Sequence, residues 1–237
     1  INVNGKKKWL HVCSNDLWTW FELHDKRGCK AMDDINILPN FTGTLCHDHW
    51  KPYYTYKCKH SLCNAHHLRE LTRAYEQDGQ TWALKMHNFL LDVRKEVEKT
   101  EVQHLPIDVV NERLLEFRTI IANGEIECPE IMPKPGTKRK PKQTKSRNLL
   151  TRLRDFEEDV LKFLSDPLVP FSNNLGERDI RMTKVHQKIS GCFRSLEGAI
   201  NFYLIRSYIS TCEKNGVTAT EALDMLFSKK LPAFIYN

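Results

Sequence analysis

Gly43-Thr44-Leu45-Cys46-His47-Asp48-His49-Trp50 is the stretch on which the fold turns. Small and apolar residues make a short strand, and a carboxylate flanked by two histidines follows at its end. In α/β proteins the carboxyl ends of strands are where sites form. Asp48 is therefore the first candidate for chemistry. An Asp that caps the next helix ahead of Lys51-Pro52 is the competing reading, and position alone favours it.

Upstream of this strand the chain reads as a hairpin. Lys8-Trp9-Leu10-His11-Val12-Cys13 and Leu17-Trp18-Thr19-Trp20-Phe21-Glu22-Leu23 are aromatic and β-branched runs split by Ser14-Asn15-Asp16. A short helical piece from Cys29 to Ile37 precedes Pro39. Downstream, apolar residues recur at helix spacing in three stripes. These are Trp82, Met86, Phe89, Val93 and Val97; then Val110, Leu114, Phe117 and Ile121; then Leu149, Leu153, Phe156, Val160 and Leu164. Between the last two stripes, from Pro129 to Arg147, the pattern breaks. Pro133, Pro135 and Pro141 mix with Lys134, Lys138, Arg139, Lys140, Lys142, Lys145 and Arg147, which predicts an exposed basic linker.

The last segment carries the second candidate. Phe171-Ser172-Asn173-Asn174-Leu175-Gly176 is turn-rich and leads into Glu177-Arg178-Asp179-Ile180-Arg181. On a helix, Arg181, Lys184 and Lys188 share a face with Glu177, while Met182, Val185 and Ile189 form a stripe expected to pack inward. One acid at a helix start beside a basic row suits a metal ligand facing a phosphate backbone. A first-turn Glu stabilised by the helix dipole is the equal alternative. The next helix is apolar on more than one face through Ile200, Phe202, Leu204, Ile205, Ile209 and Cys212, so burial is expected. Asn215-Gly216 ends it, and Thr218 with Glu221 predicts a capping box for a final helix.

Composition narrows the class. The chain has 237 residues with 28% charged and 41% hydrophobic, which is ordinary for a globular protein with one large domain or two intimate ones. A formal charge of +6 favours a polyanionic partner without naming it. No run approaches the ~18 apolar residues of a membrane span, and the start lacks a signal-peptide core. A cytoplasmic protein is expected. The eight cysteines do not follow a secreted disulfide pattern. Cys58, His60, Cys63, His66 and His67 cluster, yet their pairs lack the spacing of a structural zinc site, so packing and hydrogen bonding are the expected roles.

Several motifs, in order, resemble signatures of the insertion-sequence-66 family of bacterial transposases. They are His47-Asp48-His49-Trp50, Cys63-Asn64-Ala65-His66-His67-Leu68-Arg69-Glu70-Leu71, Pro170 through Met182, and Lys188-Ile189-Ser190-Gly191-Cys192-Phe193-Arg194. The resemblance spans nearly the whole chain. It implies an α/β, ribonuclease-H-like mixed sheet core with a large helical insertion between the second Asp and the Glu. The implied layout is residues 1–65 as the first part of that core and 66–165 as the helical insertion, with its basic Pro-rich linker near 129–147. Residues 166–237 would form the helical remainder.

The implied chemistry is metal-dependent DNA strand cleavage and strand transfer, that is, transposition, by three carboxylates holding two Mg2+ or Mn2+ ions, with no covalent enzyme intermediate. Asp48 falls on the family's second Asp and Glu177 on its Glu, making both catalytic and metal-ligand candidates. The first Asp belongs to an Asp-Glu-Thr-Gly motif ahead of the strand that begins at Ile1. The chain is therefore read as N-terminally truncated and is expected to cut DNA poorly by itself. Asp16, in the hairpin turn, is no substitute. Ser172 stands where relatives commonly carry Asp. Arg178, Arg181, Lys184, Lys188 and Arg194 are candidates for DNA phosphate contacts. Partners implied are transposon-end and target DNA and further copies of the chain, in the bacterial cytoplasm at the nucleoid. Two alternatives stay open. One is a metal nuclease such as a resolvase, which hydrolyses without joining. The other is an inactive transposon remnant that acts only as a DNA-binding or interaction module.

Overall fold

The computed structural model describes residues 1–134, 136 and 140–236. Strands β1 (Asn2–Val3) and β2 (Lys6–Lys7) form a small antiparallel pair, and β3 (Trp9–Ser14) and β4 (Thr19–His24) form a hairpin. Helix α1 (Cys29–Ile35) follows, then β5 (Thr44–His47) and β6 (Lys59–Leu62), which pair in parallel. A helical run comes next: α2 (Asn64–Asp78), α3 (Thr81–Lys99), α4 (Ile107–Glu127), α5 (Lys145–Asp155) and α6 (Glu157–Leu161). The chain closes with α7 (Asn174–Asp179), α8 (Arg181–Ser190), α9 (Leu196–Lys214) and α10 (Ala219–Phe227). The protein is thus mixed α/β with small sheets. No helix among the described residues is long and apolar enough to cross a membrane.

The chain divides into two compact units. One comprises Ile1–Phe41, Thr55–Lys57 and Asn174–Asn237; the other comprises Thr42–Tyr54 and Cys58–Asn173. In the first unit, the hairpin presents Thr19 and Phe21 to α9. The N–H groups of Thr19 and Phe21 point away from β3 and need acceptors. They donate to Thr211 Oγ1 at 3.1 Å and Ser207 Oγ at 2.9 Å. The match is geometric. Two residues along a strand advance about 6.7 Å, and four along a helix advance about 6 Å. Hydroxyls one turn apart on α9 therefore meet alternate amides of β4. Further along this unit, α8 ends at Gly191, whose φ of 71° suits glycine and turns the chain. Phe193 then bridges to Val3, with Asn4 N–H donating to Phe193 O at 2.7 Å.

The second unit has the larger apolar core. Trp82, Met86, Phe89, Val93 and Val97 of α3 are buried, as are Val110, Phe117 and Ile121 of α4 and Leu149, Leu153, Val160 and Leu164 farther on. These are the periodic positions read from the sequence. Gly124 lets α4 approach closely, since a Cβ there would stand 2.8 Å from Leu150 Cδ1 and 3.1 Å from Trp82 Cγ. The start of α3 is capped from afar: the Glu127 carboxylate accepts from Thr81 Oγ1 at 2.7 Å and Trp82 N–H at 3.0 Å.

Four expectations change. The stripe from Leu149 to Leu164 is not one helix, because Phe156 leaves helical geometry and separates α5 from α6. Arg147 is not part of an exposed linker. It is 3% exposed within α5 and donates to Cys128 O at 3.0 Å and to Glu125. Met182, Val185 and Ile189 face solvent instead of packing inward; the buried side of α8 carries Thr183, and His186 stacks on Phe193 with ring centroids 4.7 Å apart. On α9, Ile209 and Cys212 are buried as expected together with Ala199, Tyr203, Ser207 and Thr211, but Ile200, Leu204 and Ile205 are exposed. Of the basic segment, Pro135, Lys138 and Arg139 lie outside the described residues.

Replacing Thr211 by Val removes the acceptor of the Thr19 N–H and leaves that amide buried and unpaired. A loss of about 1–3 kcal/mol is expected in urea unfolding. Thr211→Ser, which keeps the hydroxyl, should recover most of it.

Candidate functional site

Asp48 follows the last residue of β5. In the parallel register His47 stands opposite Leu62, so β5 and β6 end at the same level. The pair is sealed there by Cys63 N–H donating to His47 O at 2.9 Å. Asp48 itself is exposed, and its Oδ1 accepts from Trp50 N–H at 3.2 Å. That bond makes a local turn into the short 3-10 helix Lys51–Thr55, so part of the capping reading holds. His49 adopts a left-handed φ of 66°, which bends the chain sharply after Asp48.

The two histidines beside Asp48 turn away into an aromatic box. His47 is buried against Tyr53 and Tyr54, with ring centroids 5.0 Å away in each case, and His49 meets Phe156 edge-on at 4.3 Å. The hydrogen bonds fix the His47 tautomer. His47 Nδ1 accepts from His49 N–H at 3.1 Å, so in the neutral ring the proton sits on Nε2 and is donated to His60 Nδ1 at 3.2 Å. Burial pushes the His47 imidazole down to about 4, helped by His60. Burial also lowers His49, with Arg152 acting in the same direction. Tyr54 OH, donating to Asp159 at 3.0 Å, anchors the box.

The Cys63-to-Leu71 motif forms the first half of α2. Asn64 is buried and donates to Val160 O at 2.9 Å, while its Oδ1 accepts from His67 Nδ1 at 2.9 Å. Because the amide oxygen can only accept, His67 carries its proton on Nδ1. Burial drives the His67 imidazole down to about 3. The next motif is fastened to this helix start. Phe171 O accepts from Asn64 N–H at 3.1 Å, and Asn173 N–H donates to Cys63 Sγ at 3.1 Å. Hydrogen bonding and packing account for His47 and His67.

Glu177 belongs to the other unit, where it is an exposed residue in the first turn of α7. Its helix is positioned by Asp179, a residue to which the sequence assigned no role. Asp179 accepts from Lys214 Nζ at 2.8 Å, from Thr19 Oγ1 at 3.1 Å and from Ser14 Oγ. Burial raises the Asp179 carboxyl, yet Lys214 and the hydroxyls outweigh it and hold the group below the ordinary carboxylate range. The one available hint was an acid two residues past Glu177, turned away from the basic row. Arg178, Arg181, Lys184, Lys188 and Arg194 are all exposed on this unit. The structure therefore places Asp48 in one unit, and Glu177 with the five cations in the other.

A family model described as Transposase IS66 family matches residues 2–201. Neither the curated proteins nor the solved structures give a match.

The buried histidines set a pH dependence. His67 takes up a proton in the unfolded chain below about pH 6.5, but in the fold only near 3. Its folded pKa is depressed, so stability is present above pH 6.5 and is lost as pH falls toward the folded value. Unfolding free energies from urea titrations between pH 7.5 and 5 should decline by about 1 kcal/mol per pH unit for this one group. His67→Gln should flatten the slope by roughly one proton; an unchanged slope would remove His67 as its source.

Proposed function

The chain belongs to the IS66 family of transposases, and on that premise we propose that it is a transposase catalytic domain that cleaves and joins DNA strands using divalent metal. Asp48 carries this reading. It is an exposed carboxylate at the carboxyl end of a parallel strand pair, with neutral imidazoles on either side. The family's fold, a ribonuclease-H-like core interrupted by a helical insertion, is consistent with a parallel pair followed by the helical run from α2 to α6.

The donor chemistry fits magnesium or manganese. Asp48 and Glu177 each offer exposed carboxylate oxygens, which hard divalent cations prefer. When bound, such cations supply Lewis-acid stabilisation of the phosphoryl group and activate the attacking water or 3′-hydroxyl. The protein's own residues do the rest. His47, held as a single neutral tautomer, fixes the strand end that presents Asp48. Asp179 fixes the helix that presents Glu177. Arg178, Arg181, Lys184, Lys188 and Arg194 hold backbone phosphates without reading sequence. Joining two transposon ends calls for more than one copy of the chain on the DNA.

In the full-length protein with Mg2+ or Mn2+, Asp48→Asn and Glu177→Gln should each lower strand transfer by ~100-fold or more, with duplex binding retained. Unchanged activity would end the catalytic assignment, and binding without any cleavage would leave a DNA-binding module. Cleavage without joining would favour the hydrolytic nuclease. Neutralising Arg181 and Lys184 to Gln should weaken duplex binding for all sequences and reduce the salt slope by about 1.8.

A further inference from the structure

The two faces of the β3–β4 hairpin differ most along β4. Thr19 and Phe21 are each 3% exposed, whereas Trp20 between them is 41% exposed. Strand alternation and the register set the outer face: Trp9 opposite His24, His11 opposite Glu22, and Cys13 opposite Trp20. Two tryptophans and two histidines thus lie on one face of the ribbon, Trp20 exposed and Trp9, His11 and His24 half-buried. Trp20 Nε1 donates to Glu22 at 2.8 Å, which fixes the indole edge on that face.

One end of this ribbon is cationic. Lys7 Nζ lies 4.6 Å from the Trp9 ring centroid and the Arg27 guanidinium carbon 5.4 Å from it, so two positive groups share one indole. The Lys26 carbonyl lies 3.3 Å from His11 Nε2, which brings that residue to the same end. The nearby acids are engaged by other groups: Asp25 by Lys8, Asp34 by His24 at 3.0 Å, and Glu22 by Trp20. Lys7 and Lys26 make no ion pair among the described residues, and both are exposed. Like charges gathered around an aromatic face repel one another, and a polyanion relieves that repulsion. The cations gather at the Trp9 end, and the exposed Trp20 ring stands four residues along β4 from His24, about 13 Å away on the same face; phosphates on such cations and a base on such a ring are how unpaired nucleic acid is held. A duplex keeps its bases stacked inside and offers the indole nothing to stack on.

We propose that the outer face of the β3–β4 hairpin binds an unpaired DNA strand, with Lys7 and Lys26 on its phosphates and Trp20 stacking a base. This surface is separate from the α8 cations and extends the transposase reading, on which it rests, to strands that have left the duplex.

The test is fluorescence anisotropy with a labelled single-stranded oligonucleotide and the duplex of the same sequence, across a salt series. K7Q/K26Q should weaken single-strand binding and lower its salt slope by about 1.4, at roughly 0.7 per phosphate contact. Trp20→Ala should weaken single-strand binding by about fivefold or more, and Trp20→Phe should restore most of it. Duplex binding should change little in all three. All three positions are exposed, and thermal unfolding verifies that the variants fold. Wild-type single-strand affinity in K7Q/K26Q and Trp20→Ala would overturn the proposal. So would equal losses on single strand and duplex. If duplex binding still responds to R181Q/K184Q, only this inference falls. If the wild type binds neither form, the DNA reading falls with it.

Discussion

An unpaired strand edge carries amides that must find acceptors, and that requirement organises the unit holding Glu177. Ser207 and Thr211 meet the edge of β4 because one helical turn nearly equals two strand residues. With the hairpin seated on α9, Ser14 and Thr19 converge with Lys214 on one point, and Asp179 fills it. Removing either partner of this part-buried pair leaves the other charge without its counterion at the junction of hairpin and helix. The orientation of the helix that bears Glu177 therefore follows from a backbone accounting problem in a strand many residues away.

The second unit solves a different problem, the presentation of a carboxylate among histidines. A protonated imidazole beside Asp48 would compete with any cation for it. Burial and the chain of bonds from His49 N–H through His47 to His60 keep that neighbour neutral at physiological pH. In the proposed metal role of Asp48, neutral histidines beside it would leave its charge to the cation.

Much of this was legible in the sequence. The apolar stripes of α3 and α4 sit in the core because 3.6-residue periodicity reports burial directly. The hairpin and the Thr218–Glu221 capping box are local signals and were read correctly. Long-range partners left no such trace. Nothing near Thr81 announces that Glu127 will cap its helix, and nothing near Arg147 announces Glu125. Periodicity misled at α8, where Met182, Val185 and Ile189 formed the better apolar stripe. The inward face there carries Thr183, and His186 stacks on Phe193. Asp48 and Glu177 stood out by position and family motif, while the residues that hold them did not.

Gln143 makes two hydrogen bonds to a single residue, donating to Ile131 O and accepting from Ile131 N–H, each at 2.9 Å. Thr144 then caps α5 by accepting from Arg147 N–H at 3.0 Å. This clasp joins the two ends of the intervening segment independently of its length. Loop-closure entropy grows only logarithmically with length, about 0.6 kcal/mol per doubling. Cutting the chain between Ile131 and Gln143 would thus leave two side-chain hydrogen bonds still tying the start of α5 to the segment that follows α4.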